Sequence, residues 1–363
     1  MEQVSTEFFA GSLTLSYWDS SFIGDGSTEC AENKRRGLFG DCIAMSRVPN
    51  VFHFVFGLRP QTEPFHLMHY LCIASCIGVN KPDAVVFHCQ HEPWGEYWDR
   101  IRPKLTVEAL KPDPFISSFR YRHPELDSLR YAHLADVARL EIMAQNGGIY
   151  ADMDTLFVSP LPASLFEQSF VMGRETVHWS AAAKEAGGSL CNAWMMSEPG
   201  AFFVREWLSR TYESFDGSWN AHSTLLPFRL SHEHPEWIHV EPSRSFFHFD
   251  YHPPGIRDVF KRRVQDLGGI FSIHLWSHCW WDAKTRNAAL FHAGRLTPAY
   301  VRHANTTYAA VARQFLPVDF GKQDIATWEE ERLYAAVENG AWLSLRVWGK
   351  LARTVLRRDV FPF

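Results

Sequence analysis

The chain has 363 residues, a formal charge of −5, 46% hydrophobic residues and 15% aromatic residues. That composition supplies one large α/β core or two smaller ones and excludes a disordered chain; the acidic balance argues against nucleic acid as a partner. The seven cysteines (Cys30, Cys42, Cys72, Cys76, Cys89, Cys191 and Cys279) have no zinc-ribbon spacing, and their odd number points to reduced thiols and a cytoplasmic home.

Residues 1–47 are rich in Ser, Gly and charge and read as an N-terminal extension. They contain no basic start followed by an apolar stretch, so no signal peptide is expected. No run of about 18 apolar residues occurs in the chain, so no transmembrane helix is expected either. The first core element is Val51 to Gly57, a continuous apolar run of buried-strand type. A helix is expected from Phe65 to Val79, with Cys72 and Cys76 one turn apart as core packing. Buried strands follow at Ala84–His88 and Leu105–Leu110. Strands separated by helical segments predict a largely parallel sheet covered on both faces, with ligands outside the carboxyl ends of its strands.

The stretch from Leu126 to Pro162 carries the chemistry. Leu129, Val137, Leu140 and Met143 recur at helical spacing, and Asp136 and Arg139 are neighbours on another face of that helix. Gly147-Gly148 closes the helix and leads into a short apolar strand ending in Asp152-Met153-Asp154. Strand alternation puts both acids on one side, where like charges disfavour ionisation unless a cation or a hydrogen-bond network offsets them. Oxygen ligands favour Mg²⁺ or Mn²⁺, which are commonly held by one or two carboxylates and substrate phosphates. The residues thus predict a metal-dependent enzyme acting on a phosphorylated or nucleotide substrate.

Asp-Val-Ala-Arg-Leu (136–140), Gly-Gly-Ile-Tyr (147–150) and Asp-Met-Asp (152–154) together resemble the DXD sugar-binding glycosyltransferases, family 32, which are related to large clostridial glucosylating toxins. Ala135 stands where relatives often carry Ser. The resemblance implies a single Rossmann-like GT-A domain of the α/β class over residues 48–320, with a mixed, mostly parallel sheet; periodicity adds a helical C-terminal segment over 321–363. It implies a retaining transferase that moves a sugar from a UDP- or GDP-linked donor to a glycan, polysaccharide or glycolipid acceptor. Asp154 resembles the direct metal ligand, and Asp152 the residue that touches ribose and reaches the metal through water. Asp136, Arg139 and Tyr150 resemble residues that hold the donor sugar and pyrophosphate. Phe56 and Gly57, with Leu58, fall where the family contacts the nucleotide base.

Farther along, Phe170–Gly173 reads as a short strand, and a helix is expected from Ala201 to about Phe215. Leu190–Met196 resembles the family segment lining the pocket beneath the donor sugar, which makes Asn192 a site candidate; a turn Asn bonded to its own backbone is the other reading. Residues 221–260 read as loop-rich. Ile273–Trp281 resembles the family's late His-x-Trp segment, implying His274 as metal ligand or phosphate donor and Trp276 or Trp280 as a cap over the site.

Near the end, Arg346, Lys350, Arg353 and Arg357 stack on one helical stripe opposite Leu345, Val347, Trp348, Leu351, Val355 and Leu356. A helix over 341–358 would either lie peripherally on the inner membrane face or pack its apolar side on the domain. Two other functions compete. Asp152-Met153-Asp154-Thr155 resembles the nucleophile motif of haloacid-dehalogenase-type phosphohydrolases, although no Asp-Asp pair follows it; a non-catalytic sugar-nucleotide-binding protein is the second. Two expectations concern stability: removing Asp154 leaves it unchanged or slightly raised, and replacing Asp136 or Arg139 costs much more activity than stability.

Overall fold

A computed structural model describes residues 46–176, 181–277 and 296–320. The strands β1 (Val51–Phe56), β2 (Ala84–Cys89), β3 (Thr106–Ala109) and β4 (Gly148–Ala151) run parallel in the spatial order β3-β2-β1-β4. The next strand, β5 (Thr155–Phe157), leaves that sheet. β6 (Phe170–Arg174), β7 (Leu190–Ser197) and β8 (His239–Glu241) continue the sheet as β4-β7-β6-β8. In this half β7 is antiparallel to both neighbours, while β8 is parallel to β6. A final strand, β9 (Ser272–His274), pairs antiparallel with β5. The mixed, mostly parallel α/β sheet is therefore the expected GT-A layout, with β5 and β9 forming a separate two-stranded ribbon.

Alternation along the central strands explains why helices cover both faces. Phe52 and Phe54 of β1, Ile149 and Ala151 of β4, and Trp194 and Met196 of β7 enter one core with the Leu67–Asn80 helix. Val55, Tyr150 and Met195, one register position away, enter a second core with Leu140, Met143 and Trp207. Those last three belong to the helices Arg130–Asn146 and Phe202–Ser214. Burying each such side chain contributes about 1.5–3 kcal/mol, so neither face can be left to water. Cys72 and Cys76 are buried free thiols on the Leu67–Asn80 helix, as core packing requires.

The turn from helix to β4 needs both of its glycines. Gly147 has φ +64° and Gly148 φ +88°; a Cβ on Gly148 would stand 2.5 Å from the Val51 carbonyl oxygen, and one on Gly147 would stand 2.7 Å from the Ser197 oxygen. The backbone therefore packs straight onto β1 and β7, which fixes the Arg130–Asn146 helix against the strand it feeds.

Several boundaries differ from expectation. β4 stops at Ala151, and Asp152–Asp154 forms a turn into β5, closed by Thr155 N–H donating to the Asp152 oxygen at 3.0 Å. Strand alternation therefore does not set the direction of the two acids; the turn does. Leu129 ends a 3-10 turn (Pro124–Leu129) ahead of the helix instead of joining its apolar stripe. Residues 221–260 are more structured than their composition suggests, with a π-helical turn at Ala221–Leu225, helices Leu226–Glu233 and Pro253–Phe260, and β8. Elements this short carry too few residues for a periodic pattern. Trp280 and the 321–363 segment, on which the 341–358 helix is expected, lie outside the described residues, as does nearly all of the 1–47 extension. Among the described residues no helix is long and apolar enough to cross a membrane.

Two buried histidines should make the fold acid-sensitive. Burial pushes His53 from 6.5 down to about 4, with His88 adding to the effect, and burial likewise lowers His133 to about 4. Between those values the unfolded chain takes up protons that the folded one refuses. Stability should fall as pH drops from 6.5 to 4, by about 1.4 kcal/mol per pH unit for each group. Urea unfolding at pH 7, 6, 5 and 4.5 checks this; a flat midpoint over that range would refute it.

Candidate active site

The site gathers where the Asp152–Asp154 turn, the Arg130–Asn146 helix, β7 and β9 meet. β9 pairs with β5 so that His274 stands opposite Thr155, the residue after the acid turn. His274 Nε2 then lies 3.0 Å from Asp154 Oδ1 and 3.9 Å from Asp152 Oδ2. One ligand atom from each of Asp152, Asp154 and His274 lies within 4.8 Å of the other two. The Asp154 main chain is tied to the same segment, its carbonyl accepting from Leu275 N–H at 2.9 Å and its Oδ2 accepting from Ser277 N–H at 2.6 Å.

Burial works against ionisation of Asp154, but His274 and the Ser277 amide outweigh it and hold the carboxyl well below its usual range. Burial, reinforced by Asp154, leaves Asp152 raised, although Arg139 and His274 pull the other way. Burial opposes the charged form of His274, yet Asp154, Asp152 and Glu175 together raise it. Despite these close approaches, neither ring nitrogen of the buried His274 has a hydrogen-bond partner in proper geometry. Two carboxylates from the turn and a buried imidazole from β9 whose nitrogens have no hydrogen-bond partner fit a divalent cation bound through oxygen and nitrogen.

Arg139 organises the other half of the site. Its guanidinium is 5% exposed and reaches Asp136 Oδ1 at 3.2 Å and Asp152 Oδ1 at 3.3 Å. Nε donates to the Ala135 oxygen at 3.1 Å and Nη1 to the Asn192 oxygen at 2.9 Å. So committed, Arg139 joins two carboxylates to β7. Tyr150 is 1% exposed, donates its hydroxyl to Asp152 Oδ1 at 2.7 Å and lies beneath the guanidinium. From there it orients Asp152. Asn192 is no self-bonded turn residue: it sits in β7 and donates Nδ2–H to Asp136 Oδ1 at 2.7 Å. Burial raises the cost of an ionised Asp136, but Arg139 and His222 outweigh it and lower its pKa.

The aromatic candidates fall differently. Trp276 has φ +56°, is 7% exposed and donates its indole N–H to the Phe249 oxygen at 2.8 Å, with its ring 4.3 Å from that of His274. That burial packs Trp276 against His274; the other cap candidate, Trp280, lies outside the described residues. Phe56 and Gly57 occupy the carboxyl end of β1. Phe56 packs on Phe65, His69 and Phe87, and Gly57 lies against the His91 backbone.

Two residues beside the cluster had no signal in the sequence. His222, in the segment read as loop-rich, brings Nε2 to 3.0 Å from Asp136 Oδ2. Glu175, just past β6, accepts from Ser189 Oγ at 2.6 Å within electrostatic reach of His274, and its carboxyl is raised by burial. An isolated His and an isolated Glu have no spacing to single them out.

A nucleotide-sugar site is the class that a DXD turn on a mixed sheet defines, and similarity to known proteins agrees. Residues 82–171 match the family described as the glycosyltransferase sugar-binding region containing a DXD motif. Glucan organizing enzyme 1 of Cryptococcus neoformans var. grubii is 30% identical over 293 residues, covering 78% of this chain and 74% of that protein. The chain belongs to this family of DXD glycosyltransferases. Among solved structures, the PaToxG glycosyltransferase aligns over 84% of this chain and 94% of its own with 13% identity and a TM-score of 0.37. The glycosyltransferase GlyE of Streptococcus pneumoniae aligns over 74% and 63% with 10% identity and a TM-score of 0.40. Membership of a transferase family takes the place of the phosphohydrolase and non-catalytic readings.

Proposed function

We propose that the protein is a retaining, metal-dependent hexosyltransferase that moves a sugar from a UDP- or GDP-linked donor to a glycan or lipid-linked glycan acceptor. The observation that supports it most is the Asp152, Asp154 and His274 cluster with its orphaned imidazole. Mn²⁺ or Mg²⁺ bound there would offset the charge that develops on the departing nucleoside diphosphate. Asp154 and His274 would hold the cation most directly, while Asp152, with its side chain 28% exposed, stays accessible and would also reach ribose.

The remaining residues act on the sugar. Asp136 has three donors on its two oxygens, two on Oδ1 and one on Oδ2, which leaves Oδ2 room for one more hydrogen bond, so it can orient a donor hydroxyl. Asn192 and Arg139 hold that carboxylate in place, and Tyr150 and Arg139 do the same for Asp152. Phe56 and Gly57 supply an apolar edge and a close backbone approach suited to a base. Retention follows the family resemblance, with an acceptor hydroxyl attacking on the face that the diphosphate leaves. The glucan in the name of the fungal relative makes a glucan the first acceptor to try.

The test is a panel of UDP-glucose, UDP-galactose, UDP-N-acetylglucosamine and GDP-mannose, scored for Mn²⁺-dependent hydrolysis and for thermal stabilisation. One donor should be hydrolysed in Mn²⁺ and spared in excess chelator, with NMR showing the α-anomer as first product. Chelator-insensitive turnover, or inversion at the anomeric carbon, would overturn the reading.

A further inference from the structure

The segment between the Phe202–Ser214 helix and β8 places one side chain in the site. His222 sits in the π-helical turn Ala221–Leu225, a wide turn of the kind often found at functional positions. It is 1% exposed. Its backbone is anchored by Trp207 Nε1–H, which donates to the His222 oxygen at 2.8 Å. Its ring is wedged against Phe215 at 4.8 Å and against His133 at 5.3 Å between centroids. His133 is itself fixed by Tyr121, whose hydroxyl oxygen lies 2.7 Å from Nδ1. His133 and Asp136 are three apart on one helix, so the wedged ring is brought edge-on to the Asp136 carboxylate.

The chemistry of that contact sets the direction of the hydrogen bond. Asp136 is held ionised and so can only accept, which requires a proton on His222 Nε2. Nδ1 is buried with no hydrogen-bond partner. A buried polar atom left unpartnered has a cost that packing alone does not repay. The arrangement is explained if the ring is retained for what Nε2 does. Asn192 and Arg139 hold Oδ1, and the Oδ2 side of the carboxylate is set by His222.

We propose that His222 is a positioning residue for the donor sugar: its Nε2–H fixes the rotation of the Asp136 carboxylate and so aims Oδ2 at a sugar hydroxyl. This rests on the reading that Asp136 touches the donor sugar. It makes the 215–225 segment part of the sugar-selecting wall, while the nucleotide is held elsewhere, by the Asp152–Asp154 turn and the end of β1.

The experiment separates sugar from nucleotide and geometry from folding. His222→Asn places an amide near the Nδ1 position and loses the contact; His222→Gln carries its amide to the Nε2 position and restores a donor. Both are measured with the four nucleotide-sugars, and with free UDP and GDP as sugarless probes, in Mn²⁺. His222→Asn should lower kcat/KM for the accepted donor about tenfold, the size of one charge-assisted hydrogen bond, and leave UDP or GDP affinity within twofold. His222→Gln should recover most of the loss, and the His222→Asn effect should vanish in an Asp136→Asn background. Melting curves run alongside, and a purely structural histidine would lower stability and both affinities together, with no rescue by Gln. That result, or wild-type kinetics in His222→Asn while Asp136→Asn is impaired, overturns the role of His222 and leaves the donor reading standing. Wild-type kinetics in Asp136→Asn overturns the donor reading itself, and this inference with it.

Discussion

Asp154→Ala should lower transfer by about 10³-fold or more, roughly 4 kcal/mol of lost transition-state stabilisation. The side chain belongs to the acid and imidazole cluster and is the one most tightly fixed, by Ser277 N–H at 2.6 Å and by His274 at 3.0 Å. The same contacts reverse the sequence-based expectation that its removal spares or raises stability. Without the carboxylate, the Ser277 N–H loses its acceptor and the buried His274 ring loses the charge beside it, which costs about 1–3 kcal/mol. Asp154→Asn keeps an acceptor for Ser277 and should recover part of that stability without recovering activity. Initial rates with the accepted donor, and melting curves with and without Mn²⁺, check both halves. Activity within twofold of wild type in either variant would sink the assignment, and so would undiminished stabilisation by Mn²⁺.

Arg139→Leu should be the most destabilising single change in the site. Its guanidinium is buried between two carboxylates and two backbone oxygens, so removal takes the fixed cation from both Asp136 and Asp152. Breaking a buried charge network from one side costs about 3–5 kcal/mol. A helix pair of this spacing on the surface would contribute only about 0.2–0.5 kcal/mol. Replacing Arg139 therefore costs stability as well as activity, contrary to what its helical position suggested. Arg139→Lys keeps the charge but not the planar fork, and should fall between the two proteins. Urea unfolding decides it: a loss below about 1 kcal/mol in Arg139→Leu would show that solvent, and not the buried network, sets the environment of this residue.

Where the sequence carried a period or a tightly spaced motif, it could be read. The continuous apolar runs at Val51–Phe56 and Ala84–Cys89 became central parallel strands because residues buried on both faces need no alternation. The Asp136, Arg139, Gly147-Gly148 and Asp152–Asp154 spacing was legible because a helix, a turn and a strand end hold those positions to one another locally. Asn192 and His274 entered through the family resemblance, and the structure brings both to the acids. The boundary of β4 was misread, since alternation continued on paper through residues that turn in space.

Residues whose place depends on distant pairing were not legible. His222 lies 86 positions from Asp136 and meets it only because the helix ahead of it packs against the Arg130–Asn146 helix. Trp276 resembles a cap residue by its motif; that its ring packs against His274 follows from the β5-β9 pairing. Arg139 resembles a residue that holds the donor; that its donors meet Asp136, Asp152 and two carbonyl oxygens follows from the packing of its helix on β7. By itself the sequence determined the class of fold, the family and the local acid motif, because periodicity and short spacing are written within one or two adjoining elements. Which carboxylate each cation neutralises, and which ring faces the cleft or the core, was decided by tertiary structure. Those partners are set by how strands and helices far apart in the chain pack, and hydrogen-bond geometry has no counterpart in sequence spacing.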